Sequence, residues 1–139
     1  MIEQRLQSAT FGQLAQELIA TGNSFCFCAR GLSMIPTIQD GDVLHVEPIR
    51  ISPKIGEIVL FALNGEFKAH RVVGRSGNDF ITRGDAGIEA DGVVAQSCVL
   101  GRVVAVEFQD GTMISMSGLF ARMKFFGREL RRTVSALLR

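Results

Sequence analysis

The chain has 139 residues and a formal net charge of +1, a size that fits one domain able to bury a core without disulfide or metal staples. Hydrophobic residues make up 47% and the mean hydropathy is +0.24, yet no run approaches the about 18 consecutive apolar residues that a bilayer-spanning helix needs. The near-neutral balance conceals an asymmetry: residues 117–139 hold six basic side chains against Glu129, a local charge of +5, while the rest of the chain carries −4.

Residues 1–22 read as an amphipathic helix, because Phe11, Leu14, Ala15 and Leu18 recur at i, i+3, i+4 and i+7 and Gly22 ends the pattern. Glu3, Arg5 and Glu17 fall within it, and no basic region precedes an apolar block, so it does not read as a secretory signal. A cytoplasmic location is expected.

A β domain is expected over residues 23–116. "SFCFCAR" alternates at period two and predicts a strand leading into "GLSMIPTIQDGD", residues 31–42. In that loop Pro36 fixes its own φ and restricts Ile35, and Gly41-Asp42 turns the chain into the next strand, so Ser33 is held on a stiff, polar segment. The runs "DVLHVEPI", "EIVLFAL", "EFKAHRVVG", "DFITR" and "CVLGRVVAVEF" are rich in Val, Ile and Phe and are separated by Gly-containing turn dipeptides. Asn64-Gly65 supplies the two positive-φ positions of a tight hairpin. The predicted fold is therefore mainly antiparallel β. Cys26 and Cys28 share one face of the first strand and Cys98 lies far off. With no His/Cys cluster at zinc-ligand spacing, all three are expected as buried thiols in a reducing compartment.

Residues 117–139 read as a basic amphipathic helix, with Leu119, Met123, Phe126, Leu130, Val134 and Leu137 at helical spacing. Two readings stand. The helix docks on the β domain with its basic face in water, or it anchors at an anionic membrane surface with Phe120, Phe125 and Phe126 in the acyl boundary.

"GLSMIPTIQDGDVLHVEP", "GEIVLFALNGEFKAHRVVG", "ITRGDAGIEAD" and "VLGRVVAV" resemble, in order, the successive boxes of the type I signal peptidase family, whose catalytic β fold is shared with the self-cleaving SOS repressors. The resemblance implies that fold, flanked here by the N-terminal amphipathic helix and the C-terminal basic helix. It implies Ser33 as nucleophile, with its backbone N–H as oxyanion donor. Gly31, Met34, Pro36, Thr37, Gly41, Asp42, Arg71 and Gly84 then fall on structural motif positions. Bacterial enzymes and repressors carry a lysine before the arginine of the "KR" box, whereas endoplasmic-reticulum and archaeal enzymes carry histidine. "HR" here puts His70 at the base position and the chain in the Ser-His branch. Asp91, or alternatively Asp85, falls on the acidic position that orients the base. Lys68, two positions earlier on the same strand face as His70, is the alternative base. His45 matches no family position.

The chemistry is coherent in its own terms. A serine hydroxyl needs a neighbouring base during attack. An imidazole, with a reference pKa of about 6.5, serves near neutral pH, and a carboxylate on its far nitrogen fixes the tautomer. Three departures from the family pattern stand out: Gly31 replaces a side-chain hydroxyl that often assists the oxyanion hole, "GDAG" replaces "GDNN", and no transmembrane anchor precedes the serine box.

The implied activity is that of a serine endopeptidase cleaving an extended leader or tail of a partner protein, at a cytoplasmic or membrane-surface location, with no metal or organic cofactor and no nucleic-acid partner. The alternatives are a catalytically inactive peptide-binding module tethered by the basic tail, and a repressor-like autoprotease without a DNA-binding domain.

Overall fold

A computed structural model describes residues 21–116 continuously, together with Gln13, Glu17 and Ala20. Those last three are helical, Thr21 N–H donates to the Glu17 carbonyl at 3.1 Å, and Gly22 follows at a φ of +71°. The apolar face of the expected first helix and the whole of the expected helix over 117–139 lie outside the described residues.

Among the described residues eight strands follow: β1 (Phe25–Cys28), β2 (Val43–Glu47), β3 (Ile58–Leu63), β4 (Glu66–Ser76), β5 (Asp79–Arg83), β6 (Val93–Val94), β7 (Val99–Glu107) and β8 (Met113–Ser115). They form one antiparallel sheet in the order β1-β2-β7-β3-β4-β5-β6, with β8 added to β7. The strand segments read from the sequence are all present. β6 and β8 were not expected, because a segment of two or three residues shows no period. A 3-10 turn, Gln96–Cys98, takes the start of the segment expected as the last long strand.

β3 explains its own uninterrupted apolar run. Ile58 and Leu60 enter a larger cluster with Phe25, Met34, Ile38, Leu44, Val46, Val103 and Val106, while Val59 and Phe61 enter a second with Val72, Phe80 and Val94. Both faces of this strand are buried, so hydrophobic residues need not alternate with polar ones. Truncating the fully buried Phe61 to Ala costs about 3–5 kcal/mol by the usual core arithmetic. Asn64 and Gly65, at φ of 53° and 75°, close the hairpin from β3 to β4 as the sequence requires. At Gly101 a Cβ would lie 2.4 Å from Val46 Cγ1 and 2.7 Å from the Glu47 carbonyl oxygen, so only glycine lets the end of β2 lie this close to its antiparallel neighbour β7. Beyond β7, the exposed carboxylate of Asp110 accepts from Thr112 Oγ1 and N–H, and those bonds lower its pKa below the ordinary value.

Among the described residues no helix is long and apolar enough to cross a membrane, no group of three or more His, Cys, Asp or Glu side chains is arranged to hold a metal, and no cysteine is in a disulfide.

Candidate active site

The loop from Arg30 to Gly41 is closed at its base, where Ala29 N–H donates to the Asp42 carbonyl and Gly41 N–H to the Ala29 carbonyl, both at 2.8 Å. The buried Asp42 carboxylate accepts from Gln39 N–H at 2.8 Å, and Asp40 Oδ1 accepts from Gly31 N–H at 2.8 Å. Met34 and Ile38 pin the loop into the larger core, and the Met34 carbonyl accepts from both Thr37 and Ile38. The Ile35–Pro36 peptide is cis. Gly41 holds a φ of +91°, a left-handed backbone that L side chains rarely adopt, and an added Cβ would meet only the exposed Gln109 side chain, 2.6 Å from its Nε2. Ser33 therefore sits exposed on a loop whose two ends and interior are all tied down.

A second turn, residues 84–87, is fastened against it. Ala86 N–H donates to the Ser33 carbonyl at 3.0 Å, Asp85 N–H approaches Met34 Sδ at 3.3 Å, and Thr37 Oγ1 donates to Asp85 Oδ2 at 2.5 Å. Gly84 permits this approach: a Cβ there would lie 2.5 Å from the Ser33 carbonyl oxygen and 3.3 Å from His70 Nε2.

β4 supplies the groups between the loops. Adjacent strand residues face opposite ways, so His70 and Arg71 engage different partners. Arg71 makes a buried fork onto Asp85, Nε to Oδ1 at 2.9 Å and Nη2 to Oδ2 at 2.7 Å, and its Nη1 donates to the Gly56 carbonyl at 2.8 Å. His70 turns the other way. Its Nε2 lies 3.0 Å from Ser33 Oγ and its Nδ1 lies 2.6 Å from Asp91 Oδ2. An ionised carboxylate only accepts, so Nδ1 carries the proton and Nε2 of the neutral ring accepts from the serine hydroxyl. Phe61 packs edge-on to the imidazole at 5.9 Å between centroids, which keeps the ring nine-tenths buried while its Nε2 reaches the cavity.

Of the two acids, then, Asp91 contacts His70, and Asp85 is engaged by Arg71 and Thr37. Thr82, which sequence reasoning passed over, completes the array: its Oγ1 donates to Asp91 Oδ2 at 2.7 Å and its carbonyl accepts Asp91 N–H at 2.8 Å. The signal was present in the sequence. In "DFITR" Thr82 shares strand parity with the core residue Phe80, and a hydroxyl at a core-facing position needs a partner.

Lys68 is half-buried on β4 and lines the same cavity as Ser33 and His70, which measures about 240 Å³. Among the described residues its ammonium makes no hydrogen bond or ion pair, to Ser33 or to any other group. Gly31, at a φ of +88°, offers no side-chain donor near Ser33, and its own N–H is taken by Asp40. His45, on β2, approaches Cys26 Sγ at 3.6 Å through Nδ1, on strands away from β4.

Residues 3–81, more than half of the chain, match the family model described as peptidase S24-like. No curated protein matches the chain. The matched span contains Ser33 and His70 and ends before Asp85 and Asp91. It supports the repressor and signal-peptidase superfamily to which the sequence boxes pointed, the mainly antiparallel β fold, and a protease-like function in general. The chain belongs to the S24-like peptidase family.

Proposed function

We propose that the protein is a serine endopeptidase of the Ser-His type, in which Ser33 attacks a peptide bond, His70 is the general base and Asp91 orients it. The reading rests on one observation: the continuous hydrogen-bonded chain from Ser33 Oγ through both imidazole nitrogens to Asp91. As Oγ adds to the scissile carbonyl, its proton passes to His70 Nε2, and Asp91 stabilises the imidazolium. The same proton then goes to the leaving amine, releasing the first product and an acyl-enzyme. His70 next takes a proton from the water that attacks the ester, and returns it to Ser33 Oγ as the acyl group leaves as the carboxylic acid product. Such positioned proton transfer contributes on the order of 10²–10⁴ in rate.

The Ser33 N–H, which donates no hydrogen bond among the described residues, is the proposed oxyanion donor. With Gly31 in place of a hydroxyl-bearing residue, a second donor from that position is missing, a loss of about 2.7–4 kcal/mol by analogy with other oxyanion holes. A slow enzyme suited to one dedicated partner fits that deficit better than bulk processing. The substrate is an extended leader or tail segment laid along β4 beside the cavity. The basic residues 117–139 hold the enzyme at an anionic membrane surface on the cytoplasmic side.

Reaction with a fluorophosphonate probe tests the reading. The wild-type protein should label, and Ser33→Ala should not. Absence of labelling in the wild type, with peptide binding retained, would instead favour the inactive binding module that Gly31 and the altered "GDAG" turn also suit.

A further inference from the structure

We propose that Lys68 makes the cleft selective for a substrate with an acidic side chain within two residues of the bond that is cut. The inference rests on the peptidase reading and adds its substrate class.

The ladder between β4 and β5 covers Arg71–Ser76, whereas β3 pairs with Glu66–Arg71 on the other side. The cavity opens along the part of β4 beyond the reach of β5, with Ser33 at one end. Its walls follow the alternation of the strand. Phe67 and Ala69 point to the larger core, where Met34, Ile38 and Leu44 complete an apolar recess. Lys68 and His70 point to the opposite face. An extended peptide along this strand has the same period, so its side chains alternate between the recess and the Lys68–His70 side.

Lys68 stands two residues from His70, about 7 Å along the strand, which is within reach of an Asp or Glu two positions from the scissile residue. Its ammonium has no partner among the described residues, and Phe61 lies opposite it in the β3 register. The other charges on the cavity are Arg30 and Glu66, both exposed, and Glu66 makes no ion pair with Lys68. The rim is thus net positive. A peptide covering Lys68 strips water from an ammonium, and only a ligand that supplies an acceptor restores the lost hydration. A carboxylate does so with a charge-assisted hydrogen bond, which an amide of the same shape makes more weakly.

The test uses full-length Ser33→Ala and fluorescein-labelled decapeptide pools, randomised over Ala, Val, Leu, Ser and Gly but carrying Glu, Gln or Lys at one fixed position, read by anisotropy. At the best fixed position the Glu pool should bind about tenfold more tightly than the Gln pool. Lys68→Glu in the same background should invert the order in favour of the Lys pool, and Lys68→Met should abolish the Glu-over-Gln preference. Equal affinities for the Glu and Gln pools at every position, or an order that survives both Lys68 substitutions, would overturn the proposal. Fluorophosphonate labelling of the wild type, run in parallel, reports the nucleophile alone. Its failure would remove the peptidase reading, while the anisotropy result would still decide the role of Lys68.

Discussion

Gly84 offers the sharpest test of how the Ser33–His70 pair is held. A Cβ at this position would lie 2.5 Å from the Ser33 carbonyl oxygen, where ordinary contact begins at 3.4 Å, so the two backbones must part by about 0.9 Å. The obstructing atom belongs to backbone and cannot swing aside like a flexible side chain. A shift of that size along the Ser33–His70 line stretches the hydrogen bond from 3.0 Å to about 3.9 Å, beyond hydrogen-bonding range. The bond from Ala86 N–H to the Ser33 carbonyl is strained at the same time. Misplacement of a reacting group by about 1 Å is worth on the order of 100-fold in rate. Gly84→Ala should therefore slow fluorophosphonate labelling about 100-fold, with an overpacking penalty of only about 1–3 kcal/mol. Gly87→Ala is the matched control, because the nearest atom to its added Cβ is 3.4 Å away. Labelling rates are compared at one probe concentration, with circular dichroism confirming that both variants fold. If a folded Gly84→Ala labels as fast as Gly87→Ala, the close approach of the two turns does not set the geometry of the pair.

Further outcomes separate the remaining roles. Asp91→Asn, which leaves no carboxylate to hold Nδ1–H, should lower the labelling rate by up to about 10⁴ while urea denaturation stays near wild type. Asp85→Ala should act on stability, because it strands the buried Arg71 guanidinium; a loss of about 3–5 kcal/mol is expected in the same denaturation assay. His70→Ala should abolish labelling, and full labelling of that variant alongside a silent Lys68→Ala would move the base to the lysine. Deleting residues 117–139 should abolish a salt-sensitive sedimentation with anionic vesicles, and equal sedimentation of the shortened chain would detach the tail from any membrane role.

Much of the architecture is written locally. Period-two alternation in "SFCFC" and "DVLHVE", the double-sided apolar run of "EIVLFAL" and the Asn64-Gly65 turn each fix a strand or a reversal through nearest-neighbour sterics and burial. The stiffness of the Ser33 loop follows from Pro36, which fixes its own φ, while Gly41 admits the positive-φ turn into β2. The length of β4, by contrast, is not local: the run "EFKAHRVVG" ends at Gly74, whereas the strand extends to Ser76. Its continuation to Ser76 depends on pairing with β5 across a bulge between Val72 and Gly74, a long-range contact that no local pattern announces.

The acids show most clearly where local information ends. Asp85 and Asp91 lie on the same short polar stretch; the family resemblance ranks Asp91 first, but no physical feature of their neighbours says which one meets an imidazole. In the folded chain, β4 sends His70 and Arg71 to opposite faces. Arg71 then takes Asp85, and the Thr82 hydroxyl and carbonyl bring Asp91 to His70. Sequence alone determined the six longer strands, the hairpin and the stiff proline-containing serine loop, because each follows from the conformational limits and burial pattern of residues next to one another. Only tertiary structure decided which carboxylate faces which cation, because that depends on strand register and on two loops meeting across the sheet.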